Sequence, residues 1–390
     1  MGTTMINNTT TPWLFPHTPA APEWALDWEA LAARFGWIRA LRNTPQDPIY
    51  HAEGDVFIHT RMVAEALIAM DAWRALPAQE RTNLFAAALL HDVAKPKCTV
   101  IEPDGRITSK KHARRGEEMA RDLLWRGSDL ETPAPFPIRE QIAKLVRHHG
   151  QPLWFFEKPS PERAVIEASQ TARLDLVALL AEADVRGRIC NDQQELLERV
   201  QLFREFCQEQ QCFTSPRQFA NPWSRFVYFH DHKPDPTYNA YDTTTCEVVM
   251  MSGLPGAGKD TWIRNNLPDW PVVSLDQIRR ELKISPAENQ GQVVATARER
   301  ARELLRRQQS FIWNATTITR LLRSQLIDFF VAYHARVRIV YLDAPYDVLM
   351  ERNASREHRV PEHVILDMAR RLEIPDVTEA PLVEWVYSAE

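Results

Sequence analysis

The chain has 390 residues, enough for two or three domains with cores of their own. Its hydrophobic fraction of 44% and charged fraction of 25% are those of globular protein. A net charge of −5 excludes a surface that is basic throughout, though not a local basic groove. No apolar run approaches the ~20 residues of a membrane span. The polar stretch Met1–Pro12 lacks the basic and apolar regions of a signal peptide. Five cysteines, an odd number with no CxxC pair, fit reduced thiols and a cytoplasmic protein.

In chain order, residues 1–22 read as a flexible segment rich in proline and threonine. Residues 23–213 carry helical periodicity. Apolar side chains recur at i, i+3 and i+4 in Val56–Met70, Arg81–His91, Lys111–Trp125, Ile138–His148 and Ala164–Arg188, and Glu195–Gln211 adds an amphipathic helix. Short polar or proline-containing breaks separate them, and no strand is expected, which predicts an all-α domain. Residues 214–244 hold prolines and many aromatics, among them Phe219, Trp223, Phe226, Tyr228 and Tyr241. They read as a linker whose aromatics pack on a neighbouring domain, with a base-stacking surface as the alternative. From 245 to 390 the apolar runs Glu247–Met251, Val272–Ser274, Phe311–Trp313 and Val337–Leu342 alternate with helical segments such as Thr261–Asn266. That alternation predicts an α/β domain on a parallel sheet.

Within the helical domain, His91 and Asp92 end an apolar helix beside a loop. His59 lies early in the preceding long helix and Asp184 late in a following one. More than half of the twelve histidines fall in the first 150 residues, with His51, His112, His148 and His149 among them. Neutral imidazole and ionised carboxylate together suit a divalent first-row metal. Such an ion polarises a phosphoryl oxygen and brings the pKa of its water towards neutrality. His112 with His148-His149 offers a second metal position or a contact to a substrate phosphate. The donor types leave Mn, Fe, Co, Ni, Cu and Zn open.

The second motif is Gly253-Leu-Pro-Gly256-Ala257-Gly258-Lys259-Asp260-Thr261, a P-loop set between an expected strand and an expected helix. Its glycines let backbone N–H groups close around phosphates, and Lys259 reaches the β/γ-phosphates. The residue after the lysine is ordinarily Ser or Thr, whose hydroxyl binds Mg²⁺. Here it is Asp260, a hard oxygen ligand that also adds negative charge near a triphosphate. Asp276 and Arg279 share one helical face after the strand Val272–Ser274. There a carboxylate accepts the proton of an attacking hydroxyl and an arginine binds an acceptor phosphate. The arginine-rich stretch Glu351–Pro361, with Arg352, Arg356 and Arg359, is expected to be helical and resembles the lid of P-loop kinases, where arginines stabilise the transferring phosphoryl group, with a solvated basic face as the alternative.

The string His51-Ala-Glu-Gly-Asp-Val-Phe-Ile-His59-Thr60, then Leu-Leu-His91-Asp92-Val-Ala-Lys95-Pro96, Lys111-His112, Arg147-His148-His149 and Ala183-Asp184, resembles the HD phosphohydrolase superfamily. It is most similar to the 2′,3′-phosphoesterase version attached to bacterial tRNA nucleotidyltransferases. That resemblance, over about residues 50–190, implies core ligands His59, His91, Asp92 and Asp184, with His112 and His148 or His149 around a second position. The P-loop, Asp276-x-x-Arg279 and the Arg352/Arg356 lid resemble the 5′-hydroxyl polynucleotide kinases over about residues 245–380. Trp313-Asn314-Ala-Thr-Thr-Ile-Thr-Arg320 occupies the place of their Asp-Ala-Thr-Asn segment, with Asn314 where the aspartate stands. The resemblance implies that Arg320 and Arg323 contact nucleotide or sheet edge.

In this order the two domains resemble bifunctional bacterial nucleic-acid end-healing enzymes. The resemblance implies that the HD domain converts a 2′,3′-cyclic phosphate, or a 3′- or 2′-phosphate, to free hydroxyl. The kinase domain would use ATP or another NTP with Mg²⁺ to phosphorylate a 5′-hydroxyl, with Asp276 as base. RNA or DNA ends are the implied partners, and sealing is left to a separate ligase. Two further readings remain at this stage. One is an HD nucleotide phosphohydrolase fused to a small-molecule kinase. The other is a nucleotide-binding switch with a non-catalytic HD sensor, favoured by Asp260 and Asn314.

Overall fold

Asp55 opens the first long helix, Val56–Ala69, by accepting the Ile58 N–H at 3.0 Å. Val56, His59, Thr60, Val63, Ala64 and Leu67 form its buried face, so His59 is carried inward with the aliphatic stripe. The next helix, Ala78–Leu90, is buried continuously from Thr82 to Leu90. Helix Leu174–Arg186 is buried at all but a few positions. These two are buried along most of their length because other helices surround them: His112–Arg126, Phe136–His148 and Gln193–Glu209 complete the assembly. The computed structural model describes residues 12–233, 235–285, 288–356 and 359–387. These divide into two compact units, one of residues up to 168 with 172–215, the other of 169–171 with those from 216 onward.

Three expectations for the helical unit change. The described part of the expected flexible lead-in is docked: Phe15 stacks on Phe35 at 5.1 Å between ring centroids, and its N–H donates to Thr82 Oγ1 at 2.9 Å. Aromatic burial at Trp13 and Phe15 outweighs the loop-like composition. Residues 1–11 lie outside the described residues. The helix expected over Ala164–Arg188 is two, Pro161–Ser169 and Leu174–Arg186. No glycine or proline marks the break; the Asp175 N–H at the second helix's start is satisfied by the Phe213 carbonyl at 3.0 Å. Two-residue strands Val100–Ile101 and Ile107–Thr108 form a short antiparallel hairpin where no strand was expected.

The second unit is built on five parallel strands in spatial order Val272–Ser274, Phe311–Asn314, Cys246–Ser252, Ala335–Leu342, Leu382–Val386. The central strand is covered on both faces, and its pleat divides the core. Val248 and Met250 pack with Phe311, Trp313, Val337 and Ile339; Val249 and Met251 pack with Ile312, Val340 and Leu342. The edge strand Leu382–Val386 was not expected, because Glu384 and partial exposure leave it without clean alternation. In the segment expected as a linker, Asn221 caps helix Pro222–His230, whose Phe226 and Val227 join the core cluster of Val248 and Met250. Among the described residues, no helix is long and apolar enough to cross a membrane.

Candidate functional site

Four imidazoles and two carboxylates converge inside the helical unit. His59 comes from helix Val56–Ala69, His91 and Asp92 from the end of Ala78–Leu90, and His112 from the start of His112–Arg126. His149 caps Phe136–His148, and Asp184 lies late in Leu174–Arg186. Close approach of the outer helices to the inner ones makes this possible. A Cβ on Gly187 would lie 2.6 Å from the Val63 backbone nitrogen, so only glycine lets the chain after Asp184 press against the helix bearing His59.

The donors form two groups, His59–His91–Asp184 and Asp92–His112–His149. His59 Nε2 lies 3.1 Å from Asp184 Oδ1, and His91 Nε2 lies 3.1 Å from Asp92 Oδ2. Asp92 Oδ1 faces His112 Nε2 at 3.5 Å, so one carboxylate touches both groups. The tautomers follow from the outer partners. His91, His112 and His149 place Nδ1 at 2.7, 2.8 and 2.8 Å from the carbonyls of Ala88, Ser109 and Val146. A carbonyl only accepts, so each ring donates from Nδ1 and leaves a bare lone pair on Nε2. His59 Nδ1 lies 2.9 Å from the buried Glu53 carboxylate, whose charge favours a proton on Nδ1 although no well-directed hydrogen bond joins the two.

The bare nitrogens then face one another: His59 and His91 at 3.4 Å, His112 and His149 at 3.3 Å. Lone pairs at that distance call for a cation between or beside them. Among the described residues neither Asp92 oxygen receives a well-directed hydrogen bond, although Lys95 Nζ lies 2.7 Å from Oδ2. The donor set, the fixed tautomers and the under-satisfied carboxylate together fit one or two divalent metals.

Electrostatics agree. Burial opposes the charged form of Asp92, yet His91 and Lys95 outweigh it and hold its carboxyl well below the ordinary range. Asp184 is depressed likewise, against burial, by Arg188 and His59. Burial pushes His149 down to about 3 and lowers His112. His91 goes the other way: burial disfavours its charge, but Asp92 beside Nε2 raises the ring above its ordinary value, which favours a proton on that nitrogen that a bound cation would have to displace.

One expected ligand is absent from the cluster. His148 places Nδ1 2.8 Å from the Gln151 side chain and belongs to neither donor group, whereas His149 does. Consecutive helical residues point about 100° apart, so the doublet presents a single ring to the site. His51 stands one step out, its Nδ1 2.8 Å from Glu53 Oε1. Glu53 and Arg188 were missed as functional residues. The signals were present: a carboxylate two residues after His51, and an arginine one helical turn past Asp184.

In the second unit the P-loop follows the central strand, and the loops after the neighbouring strands meet it at the sheet's C-terminal edge. Gly253 has φ 135°, and a Cβ there would lie 2.6 Å from the Leu342 carbonyl oxygen. Lys259 begins helix Lys259–Asn266 and donates to the Gly253 and Leu254 carbonyls, each at 2.9 Å. Ala257 is buried, while Asp260 and Thr261 are exposed on the first turn. Asp276 and Arg279 are paired on helix Leu275–Leu282, and Arg279 Nε also donates to Gln290 at 2.6 Å. In the lid region, helix Tyr346–Ala354 ends in a turn before helix Glu362–Arg370. Asn353 closes that turn with bonds of 2.8 and 3.0 Å to Val360. Arg352 lies on the helix, its guanidinium 3.8 Å from where a Gly258 Cβ would sit. Arg356 follows the helix and acts on Lys259 electrostatically.

Of the two contacts implied for Arg320 and Arg323, nucleotide or sheet edge, their side-chain pairs make the second. Arg323 is fully buried and forms a two-pronged pair with Glu379 at 2.7 and 2.8 Å; Arg320 bonds Asp376 and Thr378. They tie helix Arg320–Val331 to the chain that leads into the edge strand.

Residues 56–184 match the HD domain, and residues 248–375 match the AAA domain. Similar solved structures include a candidate kinase from Chloroflexus aurantiacus J-10-fl, at 20% identity and a TM-score of 0.31 over 37% of this chain and 86% of that one. Another is an unliganded sugar kinase from Janibacter sp. HTCC2649, at 18% identity and a TM-score of 0.27 over 37% of this chain and 84% of that one. At such scores neither likeness bears on substrate. The chain joins a helical HD phosphohydrolase domain to a P-loop kinase-like domain on a five-stranded parallel sheet.

Proposed function

We propose that the chain heals both ends of broken nucleic acid. The HD domain would remove a 2′,3′-cyclic phosphate, or a 3′- or 2′-phosphate. The kinase domain would phosphorylate the 5′-hydroxyl for a separate ligase. The observation that carries this reading is the joining in one chain of two phosphate-directed sites. The donor cluster linked through Asp92 suits phosphoester hydrolysis. The P-loop stands beside an Asp276 side chain that is 75% exposed, open to a large hydroxyl-bearing acceptor.

In the HD domain His59, His91 and Asp184 would hold one divalent metal, and Asp92, His112 and His149 a second. Metal bound there supplies a polarised phosphoryl oxygen and a water acidified towards neutrality. Glu53 and the carbonyls of Ala88, Ser109 and Val146 keep each Nε2 lone pair aimed inward. Lys95 and Arg188 hold the two aspartates ionised. In each hydrolytic step the water oxygen joins phosphorus, one ester P–O bond breaks, and the departing alkoxide takes a proton; a cyclic phosphate needs two such steps, the second releasing inorganic phosphate.

In the kinase domain ATP with Mg²⁺ supplies the phosphoryl group. The backbone N–H groups of Gly253–Thr261 and Lys259 bind the phosphates, and Asp276 accepts the proton of the attacking 5′-hydroxyl. Arg279 binds acceptor phosphate, and Arg352 and Arg356 stabilise charge on the group in flight.

The test is a short RNA carrying a 5′-hydroxyl and a 2′,3′-cyclic phosphate, with ATP, Mg²⁺ and a panel of transition metals. Wild type is expected to heal both ends, with Asp92→Ala losing only the 3′ reaction and Lys259→Ala only the 5′ reaction. Turnover confined to mononucleotides would favour small-molecule substrates instead. ATP binding with no turnover at either end would favour a switch.

A further inference from the structure

The kinase site departs twice from the ordinary P-loop pattern, and the two departures touch. Asp260 stands where a hydroxyl residue usually follows the lysine. Asn314 ends strand Phe311–Asn314, in the segment whose resemblance to the polynucleotide kinases implies an aspartate there. The Asn314 amide donates to Asp260 Oδ1 at 2.7 Å. One carboxylate and one neutral polar group are therefore both present, with their places exchanged between the P-loop helix and the neighbouring strand.

We propose that Asp260 carries the Mg²⁺-directed carboxylate of the nucleotide site, and that Asn314 positions it by binding Oδ1 and leaving Oδ2 to face the ion or its water. The inference rests on the reading of the P-loop as an ATP·Mg²⁺ site. Each partner suits the other. An aspartate at 314 would set two carboxylates at hydrogen-bond distance and repel. An alanine would leave Asp260 free to rotate on an exposed helix turn. Asn314 restricts the carboxylate without adding charge. Mg²⁺ prefers few protein oxygens and retains several waters, so a single oriented carboxylate beside the phosphates is sufficient. The extra negative charge beside the triphosphate is tolerable because the ion and Lys259 meet it.

The experiment titrates a fluorescent ATP analogue into the full chain with Mg²⁺ and with a chelator, and reads the ratio of the two affinities. Asp260→Ala, Asn314→Asp and the double variant Asp260→Thr with Asn314→Asp are compared with wild type. Asp260→Ala, which removes the carboxylate and installs no hydroxyl, is expected to lose the Mg²⁺-dependent tightening by about tenfold while keeping Mg²⁺-free binding. Asn314→Asp alone is expected to weaken binding in both conditions through repulsion. The double variant, which restores the ordinary arrangement, is expected to regain the tightening. Retained Mg²⁺ dependence in Asp260→Ala, or a double variant no better than Asn314→Asp alone, would overturn the proposal and leave nucleotide binding intact. Wild-type protein that binds no ATP at all would overturn the nucleotide site itself, and this proposal with it.

Discussion

Replacing Glu53 by glutamine should weaken the HD metal centre without touching any metal ligand. The carboxylate is buried, with two hydrogen-bond donors and the edge of the His59 ring around it. His51 Nδ1 and His59 Nδ1 approach Oε1 at 2.8 and 2.9 Å, and the Ile189 N–H approaches Oε2 at 2.9 Å. Burial works against ionisation, but those donors win and hold Glu53 far below the ordinary carboxylate range. Glutamine has the same shape with only one acceptor oxygen. If its oxygen faces the histidines, its NH₂ meets the Ile189 N–H; if it flips, both rings lose their acceptor. In either orientation the His59 tautomer is no longer enforced by charge. Loss of such outer support lowers metal affinity or activity by about 10- to 100-fold, equivalent to about 1.4–2.7 kcal/mol. Competition for metal against a chromophoric chelator measures this directly. ATP-dependent phosphorylation by the same preparation shows that the second unit is intact. Unchanged metal affinity in a folded Glu53→Gln protein would refute the argument that tautomer control at His59 organises the site.

The histidine doublet gives a sharper discrimination: His149→Ala should abolish binding at the second metal position, whereas His148→Ala should leave metal stoichiometry unchanged by elemental analysis. Lys259 gives a pH dependence. Burial pushes it down to about 8 against Asp260 and Asp276, and only the protonated form meets phosphate with charge. ATP affinity should be level below that value and fall about tenfold per pH unit above it, as read by fluorescent-nucleotide titration. Arg323→Met should cost about 3–5 kcal/mol in chemical denaturation, because Glu379 is left buried without its partner; Glu379→Gln on top should recover part of the loss. Finally, chelation should leave the HD domain helical by circular dichroism. Lys95 and Arg188 already neutralise Asp92 and Asp184, so the ion is not needed to hold the cluster together.

The domain classes were legible in the sequence because the signals were periodic and dense. His59 sits on a continuous aliphatic stripe, and the glycine loop lies between a β-branched run and a helix. The failures share one cause: each depended on a partner distant in sequence. Phe15 is ordered by Phe35 and Thr82, the break before Leu174 by Phe213, and Leu382–Val386 by the strand it pairs with. Choosing between His148 and His149 required the direction in which a helix end points, and no spacing rule encodes that. Asp260 and Asn314 make the same point from the other side. Read singly along the chain, each looks like a loss of metal-handling chemistry. Joined across 54 positions by one hydrogen bond, they retain a carboxylate with a fixed orientation. A site judged residue by residue against a motif is judged defective twice here. Judged as a set of donors and charges in contact, it keeps one carboxylate held by one amide, and the double substitution separates those two descriptions.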